Sequence, residues 1–254
     1  MIKFISLSSG SKQNCFYIET EESSLLIDAG ISYTMLRDFL AGIGRDPSDI
    51  GTILITHEHS DHVRGLRSIL RNLKIPVFIN KKSWMKLGIS EGTFYPLEEG
   101  KTLKWKDLRI MPFQVPHDAV NTFGFVIRRE NRGIFFASDM GSYDQSISAL
   151  AKEANLIAVE SNYDPEMLSN SVYPKFLRDR IAHSHGHLSN PDAARFVRET
   201  AGMFTEQVCF LHMSENNNRL EIIQDGIERD LAPLYSDLQF HIAVRENPIP
   251  AIEI

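Results

Sequence analysis

The stretch Ile53–His62, I-L-I-T-H-E-H-S-D-H, decides how the rest of the chain is read. Ile53, Leu54, Ile55 and Thr56 form an unbroken apolar or β-favouring run, which predicts a short buried strand. His57, His59, Asp61 and His62 follow at once. In extended backbone, residues two apart project to the same side, so His57 and His59 can turn both imidazoles toward one cation. From Asp61 onward the pattern becomes helical, with Leu66, Ile69, Leu70 and Leu73 as an apolar stripe and Arg64, Arg67 and Arg71 opposite. Asp61 and His62 then lie in or beside the first helical turn. A carboxylate there suits the helix dipole, and both side chains can serve a second cation near the first. A lone H-x-H on a loop is usually a solvated pair, whereas the whole H-x-H-x-D-H between strand and helix is a metal-site pattern.

Upstream, Ile2–Leu7, Cys15–Thr20 and Ser24–Asp28 read as three strands joined by the turn-like S-S-G-S-K-Q-N and E-E-S. The third ends in L-L-I-D-A-G, where Gly30 permits a tight exit into an amphipathic helix over Tyr33–Ala41. Downstream, Pro76–Ile79 is a strand, Lys81–Leu87 a short helix and Gly92–Gly100 a loop. Leu108–Val115 is a strand ending at P-H-D-A, with His117 at its mouth. Thr122–Arg129 and Gly133–Ser138 read as a hairpin, and Asp139 follows its second strand.

A helix over Tyr143–Glu153, a strand over Asn155–Glu160 and a helical piece around Lys175–Ile181 come next. In H-S-H-G-H-L-S-N-P, Asn190 is the expected cap and Pro191 the first residue of a helix running over Asp192–Ala201. Gln207–Leu211 is a core strand carrying His212 at its end. A helix over Leu220–Leu231, a strand over Leu238–Val244 and a polar, proline-containing tail complete the chain.

The 254 residues are 43% hydrophobic and 24% charged, enough for a sizeable core, and a single domain over residues 1–254 is expected. No run of 18 apolar residues exists and M-I-K-F-I-S-L-S-S-G is too short and interrupted for a signal sequence, so no membrane partner and a cytoplasmic location are expected. Cys15 and Cys209 each sit in an apolar run and read as buried thiols. The net charge of -6 gives the whole molecule no attraction to polyanions, so any nucleic-acid contact must come from local patches. Two patches are available: Arg64, Arg67 and Arg71, and Lys175, Arg178 and Arg180. The sequence leaves the oligomeric state open.

The H-x-H-x-D-H segment resembles the signature of the metallo-β-lactamase superfamily. Together with S-G-S-K-Q-N, L-L-I-D-A-G, P-H-D-A, E-S-N-Y-D, G-H-L-S-N and H-M-S-E-N-N it is similar to the YycJ-like (WalJ-like) branch, over nearly the whole chain. That resemblance implies an α/β four-layer αββα sandwich, two divalent metal ions and phosphodiesterase or nuclease activity, with a DNA exonuclease role in some members. On this reading a first cation takes His57, His59 and His117, and a second takes Asp61, His62 and His212. Asp139 and a solvent-derived hydroxide, the expected nucleophile, are shared between them. The donor set, without cysteine, suits zinc, manganese or iron. The resemblance also gives Asp28 the role of orienting a metal-binding histidine, the alternative being a cap or turn residue at the strand end, and makes His187 in G-H-L-S the candidate proton donor, the alternative being a helix-entry histidine held by capping. Asp61 and His187 are thus the candidate catalytic residues; His183 and His185 read as solvated. P-H-D-A-V-N-T and A-S-D-M-G-S depart most from the branch pattern, and both line the mouth.

Nucleic acid, with DNA preferred, is the expected substrate class. A hydrolase of a small cyclic phosphodiester, lactone or thioester is the enzymatic alternative, to be told apart by a closed pocket. A regulatory binding module is a third reading, against which the complete ligand set speaks.

Overall fold

The computed structural model describes residues 1–245 and 248–254. Strands β1 (Lys3–Ser8), β2 (Cys15–Glu19) and β3 (Ser24–Ile27) form the opening antiparallel meander. Then follow α1 (Tyr33–Gly42), β4 (Thr52–Leu54), α2 (Ser60–Val63), α3 (Leu66–Leu73), β5 (Pro76–Ile79) and α4 (Lys81–Leu87). Next are β6 (Thr93–Pro96), β7 (Leu103–Trp105), β8 (Leu108–Gln114), β9 (Phe123–Arg129) and β10 (Arg132–Ala137). The remainder is α5 (Gln145–Ala151), β11 (Leu156–Glu160), α6 (Pro165–Ser169), α7 (Lys175–Ile181), α8 (Asn190–Thr200), β12 (Gln207–Leu211), α9 (Leu220–Asp230), β13 (Gln239–Ile242) and β14 (Ile252–Glu253).

Two mixed sheets result, in the orders β14-β1-β2-β3-β4-β5-β6 and β13-β12-β11-β10-β9-β8-β7. Their facing sides enclose one core in which Phe4, Phe16, Leu25 and Leu54 meet Ile110, Phe125, Phe136 and Leu156. Phe16 and Phe136 join the sheets edge to face, with ring centroids 4.9 Å apart. The outer face of the first sheet is covered by Leu36 and Leu40 of α1 and Leu66, Ile69 and Leu70 of α3. The second is covered by Ile147 of α5, Phe196 and Val197 of α8 and Ile223 of α9. Each sheet therefore buries both faces, which is the four-layer αββα sandwich expected. Cys15 and Cys209 are buried free thiols within it.

Some boundaries differ from the sequence reading. The segment Gly92–Gly100, expected as loop, contains β6, paired in parallel with β5 at the sheet edge. Half-exposed residues leave such a strand no apolar alternation, and Pro96 is tolerated because an edge needs no donor there. β7, α6 and β14 were not expected either; each is five residues or shorter. β14 lies in the segment read as a polar tail, of which residues 246 and 247 fall outside the described part. The cap of α8 is Ser189, whose side chain accepts from Asp192 N, so Asn190 is the first helical residue. Among the described residues, no helix is long and apolar enough to cross a membrane.

The connections after β4, β8, β10 and β12 all emerge on one rim. There Ala29 N donates to His62 O and Asn14 N to Asp61 O, fastening the β3 exit and the β1–β2 turn to α2. Gly30 is required by close approach: a Cβ there would lie 1.8 Å from the Asp61 carbonyl oxygen. The sequence reading gave this glycine a turn role, whereas its φ is ordinary and the packing is what excludes a side chain.

Candidate metal centre

His57, His59, His117 and Asp139 converge, and so do Asp61, His62, Asp139 and His212, each set holding its donor atoms within 4.8 Å of one another. These are the two groups expected, with Asp139 common to both. Asp139 Oδ2 faces the first set, 3.4 Å from His117 Nε2 and 3.8 Å from His57 Nε2. Its Oδ1 faces the second, 3.3 Å from His62 Nε2. The carboxylate thus splits its two oxygens between the groups. His59 Nδ1 and His117 Nε2 are 3.2 Å apart. Two nitrogens each ~2.1 Å from a tetrahedral zinc would stand roughly 3.4 Å apart, so this spacing suits shared ligation.

The histidines are held from behind. His62 Nδ1 donates to Asp28 Oδ2 at 2.7 Å, and His117 Nδ1 to the Gly186 carbonyl at 2.9 Å. Thr56 Oγ1 donates to Asp28 at 2.9–3.0 Å, so at 3.0 Å it accepts from His57 Nδ1. His212 Nδ1 donates to Glu160 Oε1 at 2.8 Å. With the proton fixed at Nδ1 in all four, each Nε2 turns a lone pair toward the centre, which is the tautomer a metal requires. His57 Nε2, His212 Nε2 and Asp139 Oδ1 are buried and, among the described residues, have no hydrogen-bond partner. An unpaired buried polar group costs about 1–3 kcal/mol, and three converging on one space are satisfied together by cations. The residues present fit a divalent metal pair.

Electrostatics agree. Burial opposes ionisation of Asp61, but His62 and His212 hold its carboxyl well below the usual range, so it is an anion and not a proton donor. Asp139 is likewise held low by His212 and His62 against burial. Burial alone would lower His212 and His62, yet the surrounding carboxylates push His212 up to about 10 and raise His62 well above its ordinary value. The carboxylates therefore demand positive charge here. Burial, unopposed to the same degree, keeps His57 low and neutral.

Two of these positions carry backbone strain. Asp28 has φ of 62° and His212 of 55°, values that cost a non-glycine residue about 1 kcal/mol or more. Hydrogen bonds from Asp28 N to Leu54 O and from His212 N to Ser9 Oγ, both 2.8 Å, hold them there.

His187 stands at the same mouth, with Nδ1 donating to Glu160 Oε1 at 2.8 Å. Glu160, fully buried at the end of β11, has no role in the sequence reading. Its Oε2 accepts from Met140 N and Leu188 N, and its Oε1 from both His187 and His212. Glu160, His187 and His212 are close enough to hold an ion themselves. A carboxylate already filled by four donors is better described as an anchor for two imidazoles. Burial lowers the His187 pKa, but Glu160 outweighs it and leaves the net shift upward. Asn14 was also missed: its Nδ2 lies 3.1 Å from both Asp61 Oδ2 and His62 Nε2. His183 and His185 are exposed, as expected.

Ser11, His59, Ser60, Asp61, Asp139, Arg180, His187 and His212 line an open cavity of about 270 Å³ over the centre. None of Arg64, Arg67 and Arg71 reaches it. Arg67 donates to the carbonyls of Leu87 and Gly88, and Arg71 pairs with Glu91 at 2.8 Å.

Fold and centre together define a class, the metal-dependent hydrolases built on this sandwich, and the profile of the beta-lactamase superfamily domain matches residues 24–213. Zinc-bound PqqB from Methylobacterium extorquens shares the fold, with a TM-score of 0.74 at 14% identity over 98% of this chain and 100% of that one. The exodeoxyribonuclease WalJ of Streptococcus pneumoniae is 33% identical, covering 91% of this chain and 88% of WalJ. The exodeoxyribonuclease YycJ of Bacillus anthracis is 31% identical, covering 91% and 89%. The chain belongs to the WalJ/YycJ family of the β-lactamase superfamily.

Proposed function

We propose that this chain is a binuclear metal-dependent exodeoxyribonuclease. The observation that carries the reading is the division of Asp139 between two inward-facing ligand sets under an open, polar cavity. The relatives WalJ and YycJ, both named exodeoxyribonucleases, support the choice of DNA. His57, His59 and His117 would hold one divalent ion, and Asp61, His62 and His212 the other, with Asp139 between them. Zinc, manganese and iron all suit these donors. When bound, two such cations supply a water deprotonated near neutral pH and positive charge opposite the phosphate.

The chain's own groups do the rest. Asp28, Thr56, Glu160 and the Gly186 carbonyl fix the ligating tautomers. Asp61, held as an anion, adds negative charge to the second set. His187, anchored by Glu160 through Nδ1, presents Nε2 to the cavity and donates a proton to the leaving oxygen. The ligands come from loops of both sheets, which supports treating residues 1–254 as one catalytic domain. Two unpaired thiols suit a reducing compartment, and we place the protein in the cytoplasm.

The test uses metal-analysed protein with end-labelled single- and double-stranded DNA and RNA, with and without a terminal phosphate, beside cyclic nucleotides. Stepwise release of nucleotides from DNA is expected. Turnover of cyclic nucleotides alone would overturn the reading and favour a small-molecule hydrolase.

A further inference from the structure

His117 serves the first ligand set and also lines a second cavity, of about 520 Å³. Its Nε2 lies 3.2 Å from His59 Nδ1, and His59 lines the cavity over the metal centre, so the two spaces are neighbours. The second is walled by the two segments read as lining the mouth: Val120, Asn121 and Thr122 belong to P-H-D-A-V-N-T, and Ser142 to A-S-D-M-G-S.

These walls are pinned by the protein itself. Val120 N donates to Glu58 Oε1 at 3.0 Å, and Glu58 stands between the ligands His57 and His59. Gly141 N donates to the Pro116 carbonyl and Ser142 Oγ to the Ser184 carbonyl, both at 2.8 Å. Thr122 is 4% exposed, yet its Oγ1 has no hydrogen-bond partner among the described residues, and neither has Asn121 Oδ1. Sites for small ligands are preformed, span about 300–1,000 Å³ and carry a few placed polar groups that fix orientation. This cavity has the size, the fixed walls and two such groups still open.

The two cavities differ in charge. Arg180 lines the one over the metal centre. The other cations of its helix are engaged elsewhere, since Lys175 pairs with Asp179 and Arg178 donates to the Ser169 carbonyl. Among the described residues, no lysine or arginine lines the larger cavity, whereas the carboxylates Glu99 and Asp144 do. A phosphate is drawn to the first space and repelled by the second, because like charges brought together cost several kcal/mol in no favourable contact. The second space suits an uncharged group attached to that phosphate.

We propose that this cavity is the subsite for the nucleoside carried by the phosphate under attack, an inference that rests on the phosphodiesterase reading above. Asn121 Oδ1 accepts from an N–H of the base, and Thr122 Oγ1 hydrogen-bonds to the adjoining edge. The phosphate stays under Arg180, on the other side of His117.

Inhibition of the degradation of end-labelled DNA tests this, with the deoxynucleoside 5′- and 3′-monophosphates set against 2-deoxyribose 5-phosphate, which carries a phosphate but no base. For the wild type, the best nucleotide should have an inhibition constant roughly 5- to 100-fold below that of the abasic sugar, the worth of two hydrogen bonds. Thr122→Val keeps the shape and removes the hydroxyl, and should shrink that ratio about 2- to 10-fold. Asn121→Ala should do the same, while Thr122→Ser should keep the ratio. A merely structural defect would weaken both inhibitors alike and leave the ratio unmoved. Equal or unmeasurable inhibition by nucleotide and sugar in the wild type, an unchanged ratio in Thr122→Val and Asn121→Ala, or a Thr122→Ser ratio as low as that of Thr122→Val would overturn the subsite alone. A wild type that degrades no DNA would overturn the phosphodiesterase reading and the subsite with it.

Discussion

Replacing His187 by alanine should cripple cleavage of bonds whose leaving group needs a proton. The side chain is 20% exposed at the mouth, and its Nδ1 is fixed 2.8 Å from Glu160 Oε1. Nε2 is therefore the atom offered to substrate, and Glu160 raises the fraction that carries a proton to give. General acid catalysis is worth about 10²- to 10⁴-fold, or roughly 2.7–5.4 kcal/mol at 1.36 kcal/mol per decade. That loss should appear in kcat on an oligonucleotide, whose leaving group is an alkoxide. A nitrophenyl phosphodiester, whose phenolate departs unaided, should lose less than tenfold. Metal content should stay at the wild-type level, because His187 is in neither ligand set. Equal losses on the two substrates, or depleted metal, would refute the proton-donor role and leave His187 as a positioning group.

Glu160→Gln, by weakening the hold on both His187 and His212, should lower metal affinity about 10- to 100-fold as well as turnover, which metal titration separates from the His187→Ala phenotype. Gly30→Ala forces a methyl group against the Asp61 carbonyl and the Asn14 amide, and should cost about 1–3 kcal/mol in thermal melts together with metal occupancy. Asp107 accepts from Thr20, Ser23 and Arg129 and ties the β2–β3 turn of one sheet to the second. Burial would raise its pKa, yet those donors hold it below the ordinary 3.8, so its contribution is present above that value and is lost as pH falls through the folded one. Asp107→Asn should lower Tm at neutral pH and flatten the loss of Tm between about pH 5 and pH 2; an unchanged acid limb would contradict this.

The centre was legible because its ligands sit where the sequence marks strand ends. His57 to His62 follow an apolar run, Asp139 follows I-F-F-A-S, and His212 follows V-C-F-L. Glu160 had the same mark, a carboxylate after L-I-A-V, as Asp28 has after L-L-I. It went unassigned because its partners His187 and His212 are 27 and 52 residues away and declare themselves only once β11 and β12 pair. Asn14 lay hidden in a turn whose composition says only that the chain bends. The missed strands are edges, where half-exposed residues such as Thr93 and Tyr95 carry no alternation. Of the three arginines read as one helix face, Arg67 and Arg71 lie on α3 and Arg64 caps the end of α2 instead; sequence could not show that Glu91 and two carbonyls already occupy Arg71 and Arg67.

The metal-to-protein ratio of the wild type and of Asp139→Ala, measured on the same preparation, tests the shared centre most directly. Close to two divalent ions per chain are expected in the wild type. More than one should be lost in the variant, since Asp139 Oδ1 and Oδ2 face different ligand sets. A single tightly held ion in the wild type, unaffected by the substitution, would contradict a binuclear site bridged by Asp139.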